Sequence, residues 1–84
     1  MAVTTNFQID GLSSGRRDRI RKALTEAFGS REGKWHIQFI AAYPDDLWEV
    51  RLSGPAVETS GYIDGRQAQQ DPEGTAATVL GMAS

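Results

Sequence analysis

The chain has 84 residues, a formal net charge of −2 and no cysteine, which leads us to expect one thin-cored domain spanning residues 1–84, without disulfides or thiolate metal sites. A single histidine, His36, is too little for a dedicated zinc site, and no cofactor signature is present. No run reaches the roughly 20 apolar residues of a membrane-spanning helix, and no basic stretch leads into an apolar one at the amino terminus, so a cytoplasmic location is expected.

In chain order, Val3, Thr5, Phe7 and Ile9 alternate with polar residues, the period of a half-buried strand over about residues 3–9. The turn formers Asp10 to Gly15 follow, and Ser13 or Ser14 is placed to cap a helix. Ile20, Ala23, Leu24, Ala27 and Phe28 then draw one apolar stripe on a helix over about residues 14–28. Asp18–Lys22 and Lys22–Glu26 are spaced as i,i+4 ion pairs, and Gly29 is expected to end the helix in a left-handed conformation.

Trp35, Ile37, Phe39 and Ala41 alternate with His36, Gln38, Ile40 and Ala42, and the alternation resumes after Pro44-Asp45-Asp46 through Trp48, Val50 and Leu52. This predicts a hairpin with a four-residue loop at residues 43–46, which pairs Ala42 with Leu47. Ala41 then faces Trp48, Phe39 faces Val50 and Ile37 faces Leu52, all on one side; a slip of one residue would set Phe39 against Glu49 or Arg51. A further strand over Val57 to Ile63 follows Gly54-Pro55. Residues 66–70 read as a polar linker. Asp71-Pro72-Glu73 then starts a second helix, with Ala76, Ala77, Val79, Leu80 and Ala83 as its narrow apolar face.

The predicted fold is therefore α+β: a two-layer sandwich of order β-α-β-β-β-α, its antiparallel-rich sheet carrying two helices on one face. The first strand is expected to pair parallel to a neighbour through a crossover over the first helix. A ferredoxin-like arrangement is excluded, because a strand as sixth element is missing.

Charge is unevenly placed. Residues 1–34 sum to +3 and the remainder to −5, which favours head-to-tail contacts or a charged partner. Arg16, Arg17, Arg19, Arg21 and Lys22 crowd the opening turns of the first helix, where the helix dipole favours anions and opposes cations. With Ser13 and Ser14 they form a candidate anion- or partner-binding surface. The loop Gly11 to Arg16 lies between strand and helix but matches neither nucleotide-binding glycine pattern.

The sheet face away from the core presents His36, Gln38, Ile40, Leu47, Arg51 and Tyr62 as a candidate interface, more apolar in part than solvent contact requires. Its aromatic content is low and Glu49, Glu58 and Asp64 repel phosphates, which disfavours RNA there. His36 is the one candidate general base, with Asp45, Asp46 or Glu49 as orienting carboxylates, yet the hairpin register holds it opposite Ser53 and far from Asp45 and Asp46. Asp45-Asp46 reads as a turn, not a metal site. The favoured reading is a small non-catalytic protein-interaction or regulatory module, with a protein partner or self-association as a homodimer. Anion or nucleic-acid binding through the first helix is the alternative, and a small enzyme built on His36 the third.

Overall fold

The computed structural model describes residues 2–42 and 46–83. Seven elements follow one another: β1 (Ala2–Gln8), α1 (Ser14–Ala27), β2 (Lys34–Ala41), β3 (Leu47–Gly54), β4 (Val57–Asp64), α2 (Gly65–Gln70) and α3 (Pro72–Met82). The strands form one sheet in the order β1-β2-β3-β4, with β1 parallel to β2 and the two remaining pairs antiparallel. The expected two-layer α+β sandwich is thus present, with one more helix than the sequence patterning implies.

The hairpin register follows from side-chain alternation. Ala41 pairs with Trp48, Phe39 with Val50, Ile37 with Leu52 and His36 with Ser53, and the Ala42 amide donates to the Leu47 carbonyl at 2.8 Å. Residues 43–45 of the predicted loop lie outside the described residues. Trp35, Ile37, Phe39, Trp48, Val50 and Leu52 are all buried, and they meet Ile20, Ala23, Leu24 and Phe28 of the first helical segment and Ala76, Val79 and Ala83 of the last. Ala41 shares their side but sits at the strand end and is exposed.

Aromatic rings run across this inner face. Phe7 stacks on Phe39 with centroids 5.1 Å apart, Phe39 meets Trp48 edge-on at 5.9 Å, and Trp35 packs tilted on Phe28 at 5.2 Å. Trp35 reaches the rim, where its indole Nε1–H donates to the Glu32 carbonyl at 3.1 Å; a buried indole N–H needs such an acceptor.

Four expectations are corrected. The stretch read as a polar linker is the helix α2, capped by Asp64, whose carboxylate accepts from the Arg66 and Gln67 amides, with Ala68 buried beneath it. α1 ends at Ala27 with Phe28 as its C-cap, within a residue of the expected end, but the glycines with positive φ are Gly11 and Gly33, not Gly29. Asp18 pairs with Arg21 at 2.9 Å rather than with Lys22, because the i,i+3 partner lies as close on a helix surface. On α3, Ala77 is exposed and Thr75 takes its place among the buried residues.

Close approach fixes two glycines. A Cβ on Gly54 would overlap the six-membered ring of Trp35, and one on Gly65 would overlap the Trp48 indole and the Asp46 carbonyl. Gly81 has open space around its Cβ position. Gly54→Ala is therefore expected to lower unfolding free energy by about 1–3 kcal/mol through overpacking. Gly81→Ala on the same chain is expected to raise it by about 0.5–1 kcal/mol through helix propensity. Urea titration of both variants checks the pair, and equal effects of the same sign would contradict this packing.

Candidate phosphate-binding surface

The turn between β1 and α1 uses Gly11 at φ +79°, a region that glycine enters without steric cost. Ser13 is the N-cap, its Oγ accepting from the Arg16 amide at 3.3 Å, and Ser14 opens the helix as an exposed residue. No acid occupies the first turn of α1.

The five cations of the opening turns do not form one patch, because helical spacing sends them to different sides. Arg17 and Arg21 lie toward β1. Arg17 is half-buried and its Nη2 donates to the Ile9 carbonyl at 3.4 Å, while its Nε is buried without a hydrogen-bond partner among the described residues. Arg21 pairs with Asp18 and holds its guanidinium 5.6 Å from the centroid of Phe7, a cation–π distance. Both serve the fold.

Arg16, Arg19 and Lys22 instead follow each other three residues apart along the side of α1 that meets the carboxyl-terminal helices. Arg16 and Arg19 line a cleft with Arg66, Gln69 and Gln70 of α2. Arg19 and Lys22 continue into a groove floored by Ala23 and Pro72, with Glu26 and Glu73 on its walls. Arg16 Nη1 and Gln69 Oε1 are hydrogen-bonded, and Arg66 Nε donates to the Asp46 carboxylate. Three guanidinium groups from two helices thus border one depression, with amide side chains of Gln69 and Gln70 able to donate or accept beside them.

Arg66, Gln69 and Gln70 are not among the residues that the sequence pattern singles out, since residues 66–70 show no apolar periodicity. A signal was present. Arg, Gln and Ala are strong helix formers, and Asp64 is a favoured cap, but six residues are too short for propensity to declare a helix without its packing.

On the outer sheet face the register brings the second candidate group together. Gln38 lies across from Arg51 and Ile40 across from Glu49, while Glu49 faces Tyr62 on its other side. Ile40 and Leu47 are half-buried, whereas Tyr62 is 65% exposed. Arg51 is paired with Glu49 at 3.3 Å, so the face is locally neutral there. His36 is exposed opposite Ser53, and Glu49 lies four residues further along the strand, roughly 13 Å away at 3.3 Å per residue. Such a separation gives His36 no orienting carboxylate from Glu49. No cluster of three metal-ligating side chains occurs among the described residues, and no described helix is long and apolar enough to cross a membrane.

The fold is similar to that of two solved structures. The N-terminal domain of Protein Y from Thermus thermophilus matches with a TM-score of 0.68 over 96% of this chain and 93% of that one, at 10% sequence identity. A ribosomal subunit interface protein from Coxiella burnetii matches with a TM-score of 0.56 over 99% of this chain and 97% of that one, at 16% identity. At these identities the likeness is one of fold. The sequence matches no protein-family model and no curated protein.

The division of the cations has a measurable consequence. Arg17→Ala is expected to destabilise the domain by about 1 kcal/mol through lost packing and the orphaned Ile9 carbonyl. Arg19→Ala, at an exposed position, is expected to stay within about 0.5 kcal/mol of the parent. Thermal or urea unfolding distinguishes them, and indistinguishable stabilities would contradict the assignment.

Proposed function

We propose that this chain binds an RNA-rich surface of a ribosomal subunit, contacting phosphates through Arg16, Arg19, Lys22 and Arg66. The observation that carries this reading is the convergence of Arg66 with Arg16 and Arg19 across the α1–α2 cleft. A chain of net charge −2 gathers three guanidinium groups there from distant parts of its sequence, and phosphate would compete with the exposed Asp46 carboxylate for Arg66. Guanidinium groups suit phosphate because their planar forks donate two parallel hydrogen bonds. The structural neighbours support the choice of polyanion, one being described as a ribosomal subunit interface protein. Ser13 and Ser14 flank the same end of α1 and would orient the docked backbone. Arg17 and Arg21 take a supporting role, since their contacts to Ile9 and Phe7 hold α1 on the sheet.

Binding of this kind releases counterions. With about four phosphates engaged, the logarithm of affinity is expected to fall with the logarithm of salt concentration with a slope of about −3.6. Arg16→Ala/Arg19→Ala should reduce that slope by about two and Arg66→Ala by about one. Co-sedimentation of the purified chain with ribosomal subunits across a salt series measures this. Absence of binding at low salt, or binding whose salt slope the three substitutions leave unchanged, would refute the proposal.

The outer sheet face supports a second reading, a protein partner, on the strength of Tyr62 standing 65% exposed beside the Glu49–Arg51 pair. Subunit binding that is lost on Tyr62→Ala and kept by the arginine variants would select it over the first.

A further inference from the structure

The two edges of the sheet are defended unequally. At the β1 edge, Arg21 lies over Phe7 and Arg17 reaches the Ile9 carbonyl, so a second strand added there in a symmetric pair would line its seam with the arginines of both copies. Cations at an edge are a common device against strand addition. β4 has no such guard. It is eight residues long, pairs with β3 without a break from Leu47–Asp64 to Gly54–Val57, and contains neither proline nor any basic residue. Its inner side carries Val57 and Ile63, which are only half-buried although they pack on the core, with Met82 beside Gly61.

We propose that two copies of this chain join β4 to β4 antiparallel about a twofold axis at Ser60, making one continuous eight-stranded sheet. The sequence of β4 is self-complementary in that register. Val57 faces Ile63 of the other copy, Glu58 faces Tyr62, Thr59 faces Gly61 and Ser60 faces Ser60. Apolar residues meet on the inner side, and the Tyr62 hydroxyl can donate to the Glu58 carboxylate on the outer side. Neighbouring registers are worse. Centring on Gly61 sets Glu58 against Asp64, a like-charge pair, whereas centring on Thr59 sets Val57 against Gly61 and carries Ile63 beyond the strand to Pro55, which has no amide to continue the ladder. A shift of one residue would place inner side chains against outer ones. Pairing of like edges also closes, whereas β1 on β4 would leave free edges and grow into a filament. A second copy is thus favoured over a foreign strand by the pattern of β4 itself.

The absence of cysteine makes cross-linking a direct test. Opposed residues of an antiparallel pair have Cα atoms about 4.5–5.5 Å apart, within disulfide range. Ser60→Cys is expected to give a disulfide-linked dimer under mild oxidation, while Thr4→Cys on the outer side of β1 stays largely uncrosslinked. Light scattering of the unmodified chain should approach twice the 9.2 kDa of one copy as concentration rises. Ser60→Lys, at an exposed position, should weaken the dimer by about tenfold or more by opposing two ammonium groups while leaving the melting temperature of the dilute protein unchanged. A chain that stays at 9.2 kDa would leave the edge to a strand of another protein and overturn the proposal. Cross-linking of Ser60→Cys no faster than Thr4→Cys, or a dimer indifferent to Ser60→Lys, would overturn it equally.

Discussion

Trp35 and Trp48 each lie against a glycine, Gly54 and Gly65 respectively, and the placement of the surface cleft depends on the second contact. Trp48 sits near the start of β3 with its indole against the backbone where β4 ends, so the chain must pass without a side chain at residue 65. Gly65 permits this, is buried there, and donates its amide to the Asp46 carbonyl. Asp46 also accepts from Arg66 through its carboxylate. One residue beside the hairpin loop therefore ties down the first two residues of α2. α2 in turn carries Arg66 and Gln69 alongside Arg16. The position of the cationic cleft is thus a consequence of core packing one residue away from Arg66, and a shift of Trp48 would be transmitted to it through Gly65.

Much of this architecture is legible before any coordinates. The hairpin could be placed to the residue because one register alone keeps Trp48, Val50 and Leu52 on the same side as Ile37 and Phe39, and the buried set matches it. Parallel pairing of β1 with β2 follows from a strand, a helix and a strand in succession. α2 escaped because its burial is a single side chain, Ala68, and periodicity cannot be read from one point. The candidate cations were legible as a run but not as two groups. Proximity in sequence joins Arg16 to Arg17, whereas the helix separates them by about 100° and assigns one to the cleft and the other to the Ile9 carbonyl. Arg66 has no sequence relation to that run at all; only the packing of α2 on α1 brings it there.

The helix termini show how unusual the start of α1 is. α3 begins in the favoured manner, with Asp71 accepting from the Gly74 amide, Pro72 in the first turn and Glu73 as an acid near the positive end of the dipole. α1 keeps the serine cap but has Gly15 at the position that Glu73 takes in α3, with Arg16 and Arg17 in the two positions that follow. A cation near an exposed helix N-terminus opposes the dipole by about 0.3–1 kcal/mol, although here the Arg16 amide is capped by Ser13 Oγ and the Arg17 amide bonds the Ser13 carbonyl. An acid at residue 16 would remove that mismatch, whereas one at residue 17 would also lose the contact with the Ile9 carbonyl. A chain that opens one helix with an acid in its first turn and the other without one carries the less favoured end beside the cleft lined by Arg16, Arg19 and Arg66.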